Sequence, residues 1–258
     1  MVIRSSPRMV SPFTGYPHGM TDSTAAADRP VPGRLKLAAG ALRMTLRHLI
    51  TVPATRRRRE VGSSSNLPQP WPSDKIDDRS KHVTDGFGPL FHRVFSVHIV
   101  DPDCDAAGLI ARITADLDRP APDDTVRFAR ERGEPGAVAV GDEYRVYMPA
   151  PWDGPVRVLA RDDRRFLFGT LNGHLEAGQI EFRAADEGPG RVSFTIEAWS
   201  RAGTRGSEIA YRGLNLGKEV QAGLWIQYCL GAVEVSGGRR EGRVDVVSRK
   251  VSESDITA

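Results

Sequence analysis

The stretch that decides the fold is residues 156–199, VRVLARDDRRFLFGTLNGHLEAGQIEFRAADEGPGRVSFTIEAW. Apolar residues alternate with other residues in three of its segments, and turn-forming Asp, Asn and Gly residues separate the segments. A period of two is typical of strands that bury one face. The alternating sets are Val156/Val158/Ala160, Ile180/Phe182/Ala184 and Val192/Phe194/Ile196/Ala198. Because the connections are short, we expect these strands to pair antiparallel.

Further elements are predicted on both sides of this stretch. The predicted bounds are 91–100 for a first strand, 105–118 and 123–131 for two helices, 143–148 for another strand and 206–235 for a long helix. The long helix contains four glycines after Gly206 at its start, which predicts a kink near Gly217 or a helix lying very close to a neighbour. The order indicates an α+β fold, in which a curved antiparallel sheet wraps around one long C-terminal helix.

Charge divides the chain of 258 residues into two parts, although the formal total is only +3. Residues 1–90 hold 14 basic and 7 acidic residues, net +7, whereas residues 91–258 hold 22 and 26, net −4. This asymmetry argues against a globally basic nucleic-acid binder, so we expect no nucleic-acid partner. Cys104 and Cys229 lack a metal-binding spacing, which predicts reduced thiols of a cytosolic protein with no metal and no cofactor.

Composition and periodicity predict five regions along the chain. They are a disordered leader over 1–33, a basic amphipathic helix and arginine run over 34–60, a Pro-rich linker over 61–84, a folded domain over 85–238 and a flexible tail over 239–258. Within the tail, the segment RVDVVSRKV is an alternative candidate for an edge strand.

The helix predicted over 34–52 has a basic line beside an apolar flank. Lys36, Arg43 and Arg47 share the basic line, and Leu42 and Leu46 belong to the flank. One interpretation is a helix that contacts an anionic membrane surface. The other is a helix that docks on its own domain with its arginines in solvent. On the first interpretation the protein is cytoplasmic and peripheral on the inner face of the plasma membrane.

Several phrases of the sequence resemble a bacterial family called domain of unknown function 1990. They are DGFGPLFHRVFSV (85–97), VGDEYRVYMPAPWDGPVRV (140–158), GTLNGHLEAGQIEFR (169–183), VSFTIEAWSRAG (192–203) and GLNLGKEVQAGLWIQYC (213–229). The resemblance covers about residues 85–236. The element order is similar to that of the START-like, or helix-grip, superfamily, which implies a hydrophobic small molecule or lipid bound between sheet and helix.

Two polar residues of the phrase NGHLEAG are candidates for catalysis. His174 and Glu176 lie two residues apart beside a predicted turn, and a histidine next to a carboxylate is a usual acid–base pair. On this alternative the protein is an enzyme of the cyclase or hydratase kind found among helix-grip proteins. The competing interpretation is a polar hairpin loop in which the histidine caps backbone groups.

Aromatic residues are the candidates for ligand binding. On the predicted inner faces they are Phe166, Phe168, Phe182 and Phe194, joined by Trp225 and Tyr228 on the long helix. These side chains either line a cavity or fill an ordinary core. Trp152, in the loop PAPWDGP, is a candidate for the cavity mouth or for membrane contact, or else a packed loop anchor. A protein-interaction module is a third functional alternative, and it requires an exposed apolar patch.

Overall fold

The computed structural model describes residues 55–121, 126–148, 153–204 and 215–257. The helix predicted over 34–52 and the side chain of Trp152 lie outside these residues. The strands are β1 (Thr55–Val61), β2 (Phe87–Val100), β3 (Arg127–Arg132), β4 (Glu143–Tyr147), β5 (Gly154–Arg161), β6 (Arg165–Thr170), β7 (Glu176–Asp186), β8 (Arg191–Ala202) and β9 (Arg239–Val251). The helices are α1 (Ala106–Ala115), α2 (Asn215–Val235) and α3 (Ser254–Thr257).

All nine strands form one sheet in the order β1-β9-β2-β8-β7-β6-β5-β4-β3. Neighbouring strands are antiparallel except β1 and β9, which pair in parallel. The sheet is therefore mixed at one edge, where the sequence predicted only antiparallel pairing. The parallel pair arises because β1 and β9 belong to opposite ends of the chain and need no tight turn between them.

One face of the sheet packs against α1 and α2 and forms the core. Three alternating residues of β8, Val192, Phe194 and Ile196, are buried in it, as predicted from their period of two, and Ala198 is partly buried. Helix α2 lies very close to the segment that follows α1, since a Cβ at Gly231 would collide with the carbonyl oxygen of Pro120. The predicted arrangement of a curved sheet around a long helix is confirmed.

The second predicted helix, over 123–131, is wrong for the described residues, because Arg127–Arg132 forms β3. Phe128 pairs with Val146 of β4 and lies in the core, with its ring centroid 6.2 Å from that of Phe168. Burial of one large side chain and pairing with an otherwise open strand edge thus outweigh the local helix signals.

The expected flexible tail over 239–258 is also corrected, since most of it is the long strand β9. This strand pairs with β2 on one side and β1 on the other, and it buries Val244 and Val246. The segment RVDVVSRKV is therefore an inner strand of the sheet, since β1 covers its outer edge.

The arginine run, predicted to follow a leader helix, is the edge strand β1. Its backbone pairs with β9 from Thr55↔Val244 to Val61↔Lys250. Two ion pairs join the strands: Arg56 Nε lies 2.5 Å from Asp245 Oδ1, and Arg249 Nε lies 2.8 Å from Glu60 Oε2. Strand pairing depends on backbone groups, which explains why a run of four arginines takes this conformation.

The predicted linker over 61–84 packs on the outer face of the sheet rather than spanning open space. It contains the 3-10 turns Ser64–Asn66 and Ser73–Lys75, and another turn, Val83–Asp85, lies across its end. Trp71 is buried there against Leu159 and Leu167. The segment is a fixed part of the folded unit, because its largest apolar side chain, Trp71, leaves water.

Candidate functional site

A partly enclosed cavity of about 60 Å³ lies between the core face of the sheet and helix α2. Its apolar lining comes from seven strands, the residue after β4, and the helix: Phe95, Phe128, Val146, Met148, Val156, Phe168, Ile180, Phe182, Ala198 and Trp225. The polar side chains that line it come mainly from β2, β7 and the start of the described part of α2. The cavity is thus an apolar space with a polar end.

The aromatic candidates fall into two groups. Phe168, Phe182 and Trp225 line the cavity, whereas Phe166, Phe194 and Tyr228 are buried in the adjoining core. The second group packs behind the first: the Phe166 ring stacks on the Phe182 ring with centroids 4.7 Å apart. The Tyr228 hydroxyl donates a hydrogen bond to the carbonyl of Leu117 at 3.0 Å. Burial raises the pKa of Tyr228 well above its usual value, so this hydroxyl keeps its proton.

At the polar end, one glutamine connects a cation and an anion from two different strands. Arg93 of β2 donates to Oε1 of Gln221 at 3.2 Å, and Nε2 of Gln221 donates to Oε2 of Glu176 at 2.9 Å. Gln221 lies on α2, and β2 and β7 flank β8. The chain of hydrogen bonds therefore ties the helix to the sheet across the cavity wall.

His174 precedes β7 and is only 6% exposed. Its Nδ1 accepts a hydrogen bond from the backbone N–H of Glu176 at 3.0 Å, and the Lys81 ammonium donates to its carbonyl oxygen at 2.6 Å. The His174 ring lies close to Gly154, where a Cβ would collide with Cδ2. Burial lowers the pKa of His174, with the nearby Glu176 charge opposing this effect, so the imidazole is neutral near pH 7.

His174 and Glu176, the predicted acid–base pair, are both buried and both line the cavity. The hydrogen bond between them joins the ring to a backbone N–H, while the Glu176 carboxylate binds Gln221. A carboxylate that orients a catalytic histidine usually accepts a hydrogen bond from an N–H group of the ring itself. The arrangement therefore suits a histidine that holds one fixed tautomer.

Sequence reasoning missed Arg93 and Gln221 as site residues. A signal for Arg93 was present, because it occupies an inward position of an alternating strand between Phe91 and Phe95. A charged residue at such a position needs a buried partner. Gln221 carried no comparable signal, because its role depends on two strands that lie far from it in sequence.

Metal-binding residues do not cluster in the described part of the chain. No group of three or more His, Cys, Asp or Glu side chains there could hold a metal ion. Cys104 and Cys229 are both free thiols. Burial raises the pKa of the Cys229 thiol, which therefore stays protonated as part of the core.

A curved sheet that grips one long helix, with a cavity between them, defines the helix-grip, or START-like, class of fold. The chain belongs to the family described as domain of unknown function (DUF1990), whose model matches residues 57–228. The match begins within β1, well before residue 85, in agreement with the packing of residues 61–84 on the domain. No curated protein matches the sequence.

Solved structures with similar folds share little sequence with the chain. A Thermobifida fusca protein is 13% identical, with coverage of 55% of this chain and 94% of that one and a TM-score of 0.40. A hypothetical Helicobacter pylori protein is 8% identical, with coverage of 66% and 96% and a TM-score of 0.41. Norcoclaurine synthase from Thalictrum flavum is 9% identical, with coverage of 57% and 98% and a TM-score of 0.41.

Proposed function

We propose that the protein binds a hydrophobic small molecule or lipid in the cavity between the sheet and α2. The observation that carries this proposal is the apolar lining, in which Phe168, Phe182 and Trp225 meet the polar groups Arg93 and Glu176 at one end. Ligand sites are typically apolar clefts with a few placed polar groups. An ordinary core would leave neither the space nor the polar end.

The size of the cavity limits how much of a ligand it encloses. A space of about 60 Å³ is smaller than the roughly 150 Å³ of an engineered apolar cavity that binds benzene. We therefore expect one end of the ligand to enter the cavity while the rest extends through its open side. A larger enclosed portion requires movement of the lining side chains.

Native mass spectrometry of the full chain, purified from bacteria without delipidation, tests the proposal. We expect apolar molecules to remain bound to the wild type and to be lost from Ala198→Leu, whose larger side chain fills the cavity. Ala185→Leu is the matched control, because Ala185 is exposed on β7 and lies away from the cavity. Equal ligand retention by both variants, or an empty wild type, would contradict the proposal.

The two other functional alternatives have weaker support. Acid–base catalysis by His174 and Glu176 is disfavoured by the backbone hydrogen bond that occupies Nδ1. A protein-interaction module requires a broad apolar patch. The large apolar side chains exposed among the described residues are Val61, Ile76 and Val140, single residues on three separate segments.

We also propose that the protein contacts anionic membrane surfaces through the sheet edge made by β1 and β9. Four arginines of β1, Arg56–Arg59, and five basic residues of β9 meet there against three acidic ones. All four arginines of β1 are exposed. No described helix is long and apolar enough to cross a membrane. Contact at the surface would place the protein at the cytoplasmic membrane face without insertion.

Co-sedimentation with vesicles of phosphatidylglycerol or phosphatidylcholine tests this surface. We expect binding to phosphatidylglycerol only, and we expect Arg57→Gln/Arg58→Gln to weaken it by about fivefold per residue, since each basic contact contributes about 1 kcal/mol. Arg132→Gln/Arg164→Gln removes the same charge away from this edge and should change little. Equal effects of both double variants would show attraction by net charge alone. Comparison with a chain lacking residues 1–54 measures the share of Lys36, Arg43 and Arg47.

A further inference from the structure

The tautomer of His174 follows from its surroundings. Its Nδ1 accepts the backbone N–H of Glu176, and a nitrogen that accepts a hydrogen bond carries no proton. Since burial favours the neutral imidazole, the single ring proton resides on Nε2. The structure thus holds His174 as a hydrogen-bond donor through Nε2–H.

This donor has no acceptor among the residues that the structure describes. His174 nevertheless lines the cavity and is more than nine-tenths buried. A ligand that fills the cavity without an acceptor would leave this N–H unpaired, which is unfavourable compared with pairing it. A molecule that enters the cavity with an oxygen acceptor would satisfy the Nε2–H group.

The charge at the same end of the cavity decides which kind of oxygen fits. The Glu176 carboxylate lies two residues from His174, and the Arg93 guanidinium also lines the cavity, so the charges at this end balance and an anionic ligand group would leave an excess of negative charge. A hydrocarbon would leave Nε2–H unpaired. A neutral acceptor avoids both penalties.

We propose that the ligand is an apolar molecule with a neutral carbonyl or ether oxygen, which accepts a hydrogen bond from Nε2–H of His174. This inference rests on the proposed ligand-binding function and names the chemical class of the ligand. His174 acts as a specificity-determining residue, while the aromatic lining binds the apolar body. The small enclosed volume places the oxygen near the end that enters first.

Three probes of matched shape test the inference on the full chain: acetophenone, cumene and benzoate. We expect acetophenone to bind about three to ten times more tightly than cumene, as one neutral hydrogen bond provides, and benzoate to bind more weakly than acetophenone. Affinities come from NMR titrations. In the same titrations, the ¹⁵N resonance of Nε2 should shift with acetophenone and stay nearly constant with cumene.

His174→Asn is the decisive variant, because the Asn side-chain oxygen replaces Nδ1 as acceptor for the Glu176 N–H while the Nε2–H donor is lost. It should bind acetophenone and cumene equally. Ser200→Ala is the matched control, since Ser200 also lines the cavity, and it should keep the wild-type preference.

The possible outcomes separate this inference from the proposed function. Equal binding of acetophenone and cumene by the wild type would overturn the inference and leave apolar binding intact. A preference that survives in His174→Asn would overturn the role of His174. Absence of binding for all three probes would overturn both the inference and the proposed function.

Discussion

The indole Nε1 of Trp71 donates a hydrogen bond to Oε1 of Gln179 at 2.6 Å, and both side chains are buried. This contact joins the segment before β2 to the outer face of β7. The Trp71 ring also contacts the His82 ring in a tilted arrangement with centroids 4.0 Å apart, and a Cβ at Gly169 would come within 2.7 Å of the indole. The residues that resembled a linker thus form a second layer on the sheet.

Trp71→Ala should lower the free energy of unfolding by about 3–5 kcal/mol, because it opens a cavity over Leu159 and Leu167. Trp71→Phe is the milder variant. It keeps most of the apolar contact but leaves Gln179 without its donor, at a cost of about 1–3 kcal/mol. Urea denaturation measures both values. Equal stability of Trp71→Ala and the wild type would show that this layer adds nothing to the fold.

Glu143→Gln should destabilise the fold by about 1–3 kcal/mol, because it removes one of the two carboxylates that pair with the buried Arg157 and leaves only Asp77. Arg157 Nη2 lies 2.8 Å from Glu143 Oε1 and 2.6 Å from Asp77 Oδ2. The matched control is Glu131→Gln, which breaks the more exposed pair with Arg145 and should cost less than about 1 kcal/mol. Similar losses of stability in Glu143→Gln and Glu131→Gln would contradict the prediction that the buried ion pair contributes more than the exposed one.

The same carboxylate should contribute to acid sensitivity. Burial raises the pKa of Glu143, but hydrogen bonds from Arg79 and Arg157 outweigh it, so the net pKa lies below the usual value. The resulting stabilisation is therefore fully present above about pH 4.5 and is lost as the pH falls through the lowered pKa. Thermal unfolding between pH 3 and 7 should show a weaker acid dependence for Glu143→Gln than for the wild type.

His174 should make stability fall on the acid side of neutrality. Its pKa is lowered in the folded state, so the unfolded chain binds the proton more readily. The contribution is fully present above the unfolded pKa of about 6.5 and is lost progressively below it. In His174→Asn, the decrease of Tm between pH 7.5 and 5.5 should be smaller. An NMR titration that places the His174 pKa at or above 6.5 would contradict this prediction.

Removal of β1 should affect folding as well as location. A chain lacking residues 1–61 loses the parallel pairing with β9 and both ion pairs, whereas a chain lacking residues 1–54 keeps them. We expect a lower Tm for the shorter chain, and more self-association through the exposed edge of β9. Calorimetry and sedimentation velocity compare the two. Equal Tm values and equal self-association of the two chains would show that β1 neither stabilises the sheet nor protects the edge of β9.

The fold was largely predictable because its strands bury one face each. Alternating apolar residues such as Val192, Phe194 and Ile196 identify the buried face of a strand. The order of elements indicated a sheet wrapped around a helix. The predictions failed where the local sequence pattern was misleading or absent. The sequence of β3 has the pattern of a capped helix, and the arginines of β1 do not alternate with apolar residues. His174 and Glu176 could be named as candidates, but the atoms that join them could not.

The sequence by itself determined which residues of the alternating strands leave water and the order of the central strands and helices, because periodicity is a local property of the chain. Tertiary structure alone decided that the arginine run pairs with β9, with Arg56 and Asp245 189 residues apart, and that Gln221 joins Arg93 to Glu176. Backbone hydrogen bonds between distant strands leave no side-chain pattern to read. The polar end of the cavity exists only because those strands and the helix meet in space.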